Sequence, residues 1–518
     1  MEHMSYHDDR SARSGSSDAD RGNGSVSGSN RQLPVGSTRS IHSASAEDDV
    51  DSRPYNEADY DNGHGQVHPS GSGRSVRSDT DSDQAVLQTI QSPDVPPTDV
   101  LQFLRSHQSS ANLQQEALKV LSNMQITPQQ QIDVVSQGVI DEIIRTMKRH
   151  THDSSVQLSA CRAMWNFSST PEQQIAIADA GGIEAVISAM SESPGNSPLQ
   201  EKVMAVLSNL AALESNQIRI ADCGGVTSIV TAMNKHAENV NVQDKGCAVL
   251  TNLASGDSSV KSAISEAGGA DAIVIAMSLH PEDIELQEKA LRALRNLCAN
   301  DEDNKTLIAN VGGIDAVIYA MQVHRDEAKI QEAGAWTLSN LAVVADNKVT
   351  IGESGGIDVI VRAMWVHAAH PGVQEWACRA LWTLSVNPHN KALTVEVGGI
   401  SAVVNAMAGH VGVATVQEKG CGVLSNLAAN SDQIKVKIVE EEALDAIVMA
   451  MVLHGDNAMV QQRACSVLKK LAYGPNMQPM HAANVGALMS TAAENFPGCR
   501  RDTDYVLALF EQYPEKYD

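Results

Sequence analysis

The sequence predicts an all-α solenoid, a superhelix of roughly ten three-helix repeats of 43–44 residues, preceded by a disordered N-terminal tail. A methionine recurs every 43 or 44 residues, and a glutamine keeps the same period independently, which indicates a tandem array. Only 3% of the 518 residues are aromatic, and this suits thin layers of small aliphatic side chains better than one large core. The two series are Met147, Met190, Met233, Met277, Met321, Met364, Met407 and Met451, and Gln114, Gln157, Gln200, Gln243, Gln287, Gln331, Gln374, Gln417 and Gln461.

The tail is predicted from composition. Residues 1–95 are rich in Ser, Asp, Gly and Arg and contain few aliphatic clusters. Such a segment cannot bury enough apolar surface to offset the entropy lost on ordering, so we expect it to be disordered. The aliphatic periodicity begins after Pro96-Pro97, and residues 96–518 are expected to form the repeat domain.

Each repeat divides into three helices. In one repeat, the short amphipathic stretch from Asn304 to Asn310 is ended by Gly312-Gly313. The next stretch, from Ile314 to His324, is apolar at positions i, i+3, i+4 and i+7, and a longer helix is predicted from Ile330 to Ala342. The paired glycines allow a sharp turn between the first two helices, because a side chain there would obstruct their close crossing.

Charge and composition exclude several classes of partner. The net charge of −25 disfavours nucleic acid and anionic membrane surfaces. No run approaches the roughly 18 apolar residues of a membrane span, so membrane insertion is not expected. Five of the eight cysteines occupy one repeated helical register, where we expect small core residues in a reducing cytoplasm or nucleus; these are Cys161, Cys247, Cys378, Cys421 and Cys465.

Chemistry at a fixed active site is not expected. The sequence lacks the common hydrolase, phosphate-loop, kinase and zinc-protease motifs, and the repeats account for nearly every segment after the tail. A histidine lies three residues after seven of the eight methionines, as at His324, but one histidine per repeat cannot converge on one metal ion. We therefore expect no enzyme activity, no metal, no cofactor and no small-molecule substrate.

The repeat resembles the armadillo repeat family, which also has about 43 residues, a short helix, a Gly-Gly turn and two further helices. The segment Gln331-Glu-Ala-Gly-Ala-Trp336-Thr-Leu-Ser-Asn340 is similar to the third helix of importin-α. The resemblance covers residues 96 to 518. It implies that third helices line a concave groove, in which the asparagines at the Asn340 position grip an extended partner segment.

Helical periodicity places Trp336 and Asn340 away from the core face of their own helix. An amide offers both a donor and an acceptor, which matches an extended peptide backbone. The alternative is that these asparagines brace neighbouring third helices. The Asn340 position is repeated as Asn123, Asn166, Asn209, Asn252, Asn296 and Asn426, with Thr383 and Lys470 as departures.

Arginine and tryptophan flank this series. The position four residues before it includes Arg162, Arg292, Trp336 and Arg379, and the position just before it includes Trp165, Arg295 and Trp382. These residues predict a basic and aromatic central groove, nearer to the β-catenin pattern than to importin-α, and favour an acidic partner segment with aromatic or apolar anchors. The alternative is that Arg292 and Arg379 simply stack on Trp336.

These observations favour a protein-binding scaffold or adaptor for extended or helical segments of partner proteins. The alternative is an importin-α-like nuclear transport receptor. Such receptors begin with a cluster of basic residues, whereas residues 1–95 contain no lysine and scatter their arginines among acidic residues.

Overall fold

The computed structural model describes residues 84–92 and 95–513, and every regular element in these ranges is a helix. The helices form ten repeats, numbered here in chain order, which confirms the predicted all-α solenoid. Repeats 2 to 10 have three helices each, and repeat 1 has a second and a third helix.

The first helices of repeats 2 to 10 are Pro128–Ser136, Pro171–Asp179, Glu214–Asp222, Ser258–Glu266, Glu302–Asn310, Ala345–Glu353, Pro388–Glu396, Asp432–Glu440 and Met477–Ala482. The second helices of repeats 1 to 10 are Pro97–Ser106, Val139–Arg149, Gly182–Glu192, Gly225–Lys235, Gly269–Leu279, Gly313–Val323, Gly356–Val366, Gly399–Gly409, Ala443–Leu453 and Val485–Asn495. The third helices are Ala111–Asn123, Ser154–Asn166, Ser197–Leu210, Val240–Leu253, Ile284–Leu297, Ala328–Leu341, Pro371–Leu384, Ala414–Ala428, Ala458–Leu471 and Arg500–Gln512. Two short 3₁₀ turns, Gly474–Asn476 and Pro497–Cys499, lie in repeat 10.

The packed part of the chain begins earlier than the predicted boundary at residue 96. Residues 84–87 are helical, and both Leu87 and Ile90 are buried against the first repeat's core. These two aliphatic side chains lie within a polar composition, which is why composition alone placed them in the tail. The rest of the predicted tail, residues 1–83 and 93–94, lies outside the described residues.

The methionine and glutamine series maintain the interior of each repeat. Met321 is buried in the second helix of repeat 6, and Gln331 is buried at the start of the third. Gln331 Nε2 donates hydrogen bonds to the Met321 carbonyl at 2.9 Å and the His324 carbonyl at 2.8 Å. The last carbonyls of a helix have no partner within it, so this buried amide caps the second helix. The same pair of bonds recurs from Gln157 to Gln461.

The histidine series joins each repeat to the one before it. His324 Nε2 donates to the carbonyl of Pro281 at 2.7 Å, in the loop between the second and third helices of repeat 5. His280, His367, His410 and His454 make the equivalent bond at 2.7–2.8 Å. The structure thus gives these histidines a role between repeats, because each carbonyl that accepts belongs to the preceding repeat.

The third helices lie along one side of the stack. Consecutive third helices pack on each other more extensively than consecutive first or second helices do, so the array is most tightly packed along that side.

The five predicted core cysteines are buried, and burial raises the pKa of the Cys161, Cys247, Cys378 and Cys421 thiols to about 12.

No single helix in the described ranges is long and apolar enough to cross a membrane. Three pairs of consecutive helices reach that length and composition only together, and each pair is bent by 64–73° at its break.

Candidate functional site

The asparagines of the third helices brace neighbouring repeats. Asn252 Nδ2 donates to the Ser208 carbonyl at 2.8 Å, and Asn426 Nδ2 donates to the Trp382 carbonyl at 2.9 Å. Both acceptors lie in the last turn of the preceding third helix, whose carbonyls lack partners within the helix. Asn166 and Asn296 make the same bond to Ser122 and Thr251. The Nδ2 groups of these asparagines therefore brace neighbouring third helices, which is the alternative considered from the sequence.

The remaining positions of the series vary this arrangement. Asn209 donates to the Ser168 hydroxyl at 2.8 Å, and Asn340 hydrogen-bonds the Cys298 thiol. Lys470, which departs from asparagine, still donates to the preceding helix, at the Ser425 carbonyl. Asn123 is exposed at the end of the first third helix. In the described part of the chain, no hydrogen bond uses the Oδ1 atom of Asn166, Asn252 or Asn426.

A stack of four side chains crosses the third helices of repeats 5 to 7. The Trp336 and Trp376 rings are nearly parallel, with centroids 3.7 Å apart and an interplanar angle of 9°. The Arg295 guanidinium lies 4.1 Å from the Trp336 centroid, and the Arg379 guanidinium lies 5.3 Å from that of Trp376. Both tryptophans are partly buried, and Arg379 is exposed. We call these four residues the central stack.

The central stack differs from the pairing considered from the sequence. Arg295, rather than Arg292, lies over Trp336, and Arg379 lies over Trp376. Arg292 instead pairs with Glu288 at 3.3 Å. Burial lowers the pKa of Arg295, and the neighbouring charge of Arg292 lowers it further.

A second aromatic contact involves the third helices of repeats 7 to 9. The Trp382 ring rests on Gly422 of the next repeat, where an added Cβ would come within 2.7 Å of the ring. The Arg463 guanidinium, two repeats away, lies 4.7 Å from the Trp382 centroid. The missing side chain at Gly422 is what allows residues of repeats 7 and 9 to meet.

In repeat 2, Trp165 is 44% exposed beneath the ammonium of Lys202, which lies 4.7 Å from its ring centroid. Arg162, one turn earlier on the same helix, is exposed. The sequence predicts Trp165 and Arg162 as site residues, but it does not predict Lys202, because this cation comes from the next repeat.

The third-helix surface carries acidic side chains beside its arginines and tryptophans. An acidic residue follows the buried glutamine in six consecutive repeats, as Glu201, Asp244, Glu288, Glu332, Glu375 and Glu418. Lysines of adjacent repeats pair with several of them: Lys289 bonds Asp244, and Lys419 lies 3.5 Å from Glu375. Although burial opposes it, the hydrogen bonds from Lys289 and Lys245 lower the pKa of Asp244.

Trp376 occupies the position at which repeats 5 and 8 carry these lysines. Glu332, the acidic residue of the preceding repeat, consequently forms no ion pair with a described residue. Trp376 was missed from the sequence because it lies two residues after its glutamine, Gln374, whereas Trp336 lies five residues after Gln331. The sequence does contain a signal for Trp376, because lysine stands at the equivalent position in repeats 5 and 8.

The described residues contain no group of three or more His, Cys, Asp or Glu side chains that could hold a metal ion.

A family model described as the LRRK2 ARM repeat matches residues 97–302 and, in an overlapping second match, residues 169–478. Together the matches extend over most of the chain, and the chain belongs to this armadillo repeat family. A search of curated proteins found no match.

Two solved structures are similar in fold. The crystal structure of an engineered protein is similar over 80% of this chain and 99% of its own, with a TM-score of 0.70 and 24% identity. A chain from a structure described as a conserved phosphorylation switch controlling the interaction between cadherin and β-catenin has a TM-score of 0.60 and 16% identity. That similarity covers 85% of this chain and 98% of the other. At these identities both similarities concern the fold alone.

Proposed function

We propose that this protein is a non-enzymatic scaffold that holds an extended segment of a partner protein along its third-helix surface. The central stack is the observation that carries the proposal. Four large side chains from three repeats form a continuous, partly exposed platform in the middle of the third-helix surface. Tryptophan and arginine contribute disproportionately to protein–protein binding energy, because they combine large contact areas with polar groups.

The asparagines contribute acceptors to this surface. Their Nδ2 groups already donate between repeats, so a backbone carbonyl of the partner could accept at most from the second N–H of each amide. The Oδ1 atoms of Asn166, Asn252 and Asn426 remain able to accept a hydrogen bond from a partner N–H group. We therefore propose that these residues position the partner's main chain while the tryptophans bind its side chains.

The partner segment is proposed to carry aromatic or apolar anchors together with acidic residues. Arg162 and Arg379 are exposed cations without an ion pair among the described residues, so they favour carboxylates nearby. An importin-α-like receptor for basic segments is the second candidate, favoured by the unpaired Glu332 beside the central stack. We also propose a cytoplasmic or nuclear location, where the eight free cysteines would stay reduced.

A peptide-display selection against the full chain tests the function. We expect enriched peptides that combine aromatic and acidic residues, and enrichment of basic peptides would instead favour the importin-like alternative. The double variant Trp336→Ala with Trp376→Ala should weaken binding of the enriched peptides by about thirtyfold or more, as for loss of an aromatic anchor.

Trp365→Ala is the matched control. Trp365 is 47% exposed on a second helix, Gly356–Val366, and is therefore away from the third-helix surface. Its removal should leave affinity within about twofold, since it contributes nothing to the proposed groove. Equal affinity of the wild type and the double variant would rule out the central stack as the binding surface.

A further inference from the structure

Beyond the central stack, repeats 8 and 9 bring together three cations that have no carboxylate partner. Lys391 lies in the first helix of repeat 8, and Arg463 and Lys470 lie in the third helix of repeat 9. None of the three forms an ion pair with a described residue. We call them the cationic cluster.

Several lysines of the other third helices do form ion pairs. Lys245 and Lys289 both pair with Asp244, and Lys419 pairs with Glu375 and Glu418. In repeat 9, the acidic residue that follows the buried glutamine elsewhere is replaced by the neutral Gln462. The acidic series therefore ends where the cationic cluster begins, although the whole chain has a net charge of −25.

The side chains of the cluster are held by neutral groups. Arg463 lies over the Trp382 ring, and its Nε atom is buried without a hydrogen-bond acceptor. Lys470 donates to the Ser425 carbonyl at 3.0 Å and to the Ser425 hydroxyl at 2.8 Å. Lys391 donates to the Ala429 carbonyl at 2.9 Å. These contacts fix the positions of the cations without neutralising them.

Hydroxyl groups lie on the same surface. Arg463, Ser466 and Lys470 are at positions i, i+3 and i+7 of one helix, and therefore share a face. Ser466 Oγ is 3.4 Å from Ser425 Oγ, which is itself bonded to Lys470. The surface thus combines a guanidinium, an ammonium and two hydroxyl groups.

The Lys470 ammonium lies within the electrostatic influence of the other two cations. Burial lowers the pKa of Lys470, and the charges of Lys391, Lys469 and Arg463 lower it further, while Asp502 opposes them. Lys469 is already paired with Asp502 at 2.6 Å. A bound anion would relieve the repulsion that remains among Lys391, Arg463 and Lys470.

We propose that the cationic cluster binds the phosphoryl group of a phosphoserine or phosphothreonine in the partner segment, a proposal that rests on the proposed scaffold function. Three uncompensated cations match more than one negative charge, and a phosphoryl group brings a charge of about −1.5 to −2 with three acceptor oxygens. A single carboxylate brings one charge and two oxygens. Guanidinium groups bind phosphate particularly well, because their donors match its oxygens in pairs.

The proposal also orients the partner. Its aromatic anchors would lie on the central stack of repeats 5 to 7, and its phosphorylated residue would lie beyond Trp382, at repeats 8 and 9. Phosphorylation of the partner would then strengthen binding to the scaffold.

Peptide arrays probed with the full chain test this. Each peptide has an aromatic residue at a variable distance from a fixed central position, which is phosphoserine, serine or glutamate. For the sequences that bind best, affinities are measured by fluorescence anisotropy. We expect phosphoserine peptides to bind about tenfold or more tighter than their serine and glutamate counterparts, with inorganic phosphate competing only for the phosphoserine peptides.

Arg463→Gln should reduce the affinity for phosphoserine peptides about tenfold and leave that for serine peptides unchanged. Arg362→Gln, which removes an exposed arginine of the second helix Gly356–Val366 that is already paired with Asp358, is the matched control and should reduce neither. Lys391→Met provides a second variant if Arg463→Gln loses helical circular dichroism. Equal affinity for phosphoserine and serine peptides, equally tight glutamate peptides, or a phosphoserine preference that survives both variants would overturn the proposal.

The two proposals fail separately. If serine peptides bind in a way that depends on Trp336 and phosphorylation has no effect, the scaffold function stands and the phosphoryl site is wrong. If the phosphoserine, serine and glutamate peptides all bind independently of Trp336, or if none of them binds, the groove itself is not the binding surface.

Discussion

At the scale of single residues, the period of the sequence is explained by capping rather than by packing alone. Aliphatic positions in the repeats exchange freely among Val, Ile, Leu and Ala, whereas the buried glutamine is present in repeats 1 to 9. The amide suits this position because one buried Nε2 group donates to two carbonyls at the end of the second helix, although the His324 carbonyl also accepts from the Glu327 N–H. Any of these aliphatic side chains can make an apolar contact, but a buried carbonyl needs a hydrogen-bond donor.

This account predicts the effect of Gln331→Ala. Removing the amide takes the side-chain donor from both carbonyls, but the His324 carbonyl keeps the Glu327 N–H, so we expect a cost of about 1–3 kcal/mol, mainly at the Met321 carbonyl. Urea unfolding should report the loss, and hydrogen exchange should localise it to repeat 6, since repeats contact mainly their neighbours. Gln322→Ala, at an exposed position of the preceding helix, is the control and should change stability by less than about 0.5 kcal/mol.

At the scale of helices, the two glycines of each turn have different roles. Gly312 has a φ of +84°, a conformation that side chains disfavour, although space around it is open. Gly313 begins the second helix, and an added Cβ would lie 2.5 Å from Ile308 Cγ2 and 2.7 Å from the Ile308 carbonyl oxygen. In repeat 9 the first role passes to Glu442, with a φ of +63°, so the turn keeps its conformation without glycine.

Alanine substitutions should separate these roles. Gly312→Ala should cost about 1–2 kcal/mol, the usual penalty for a left-handed side chain. Gly313→Ala should cost more, because a backbone carbonyl cannot move aside as a flexible side chain can. Gly409→Ala, at a helix end with open space and no positive φ, should be neutral or slightly stabilising. Thermal unfolding of the three variants gives the order, and equal losses at Gly312 and Gly313 would contradict the assignment.

The candidate site was harder to predict than the fold, for a reason that also operates at the scale of helices. Helical periodicity describes one helix, so it could direct Trp336 and Asn340 away from the core of their own repeat. It could not show what the next repeat places there. Trp376 covers one face of Trp336, and the asparagine donors reach the preceding helix. Such contacts depend on the offset between neighbouring repeats, which the repeat period does not specify.

At the scale of the whole molecule, the array is a stack in which each repeat supports the next, and its ends are where sequence patterns weaken. The paired glycines are already absent from repeat 9, and repeat 10 also lacks the buried glutamine and has Asn484 at the left-handed position. At the other end, Leu87 and Ile90 cover the core of repeat 1 without any recognisable repeat signature. Terminal repeats need such covers, because one of their faces has no neighbouring repeat.

Two truncations should therefore behave differently, although they differ by only twelve residues. Deleting residues 1–83 should leave the melting midpoint and the helical circular dichroism of the array unchanged within error, because the aliphatic periodicity lies beyond them. Deleting residues 1–95 also removes Leu87 and Ile90, which are 7% and 2% exposed. Burial of one such side chain contributes about 1.5–3 kcal/mol, so this truncation should lower the stability of repeat 1 measurably. Hydrogen exchange should show faster opening of Pro97–Ser106 in the longer deletion only. If the two truncations have the same stability and the same hydrogen exchange, residues 84–95 do not cap the array.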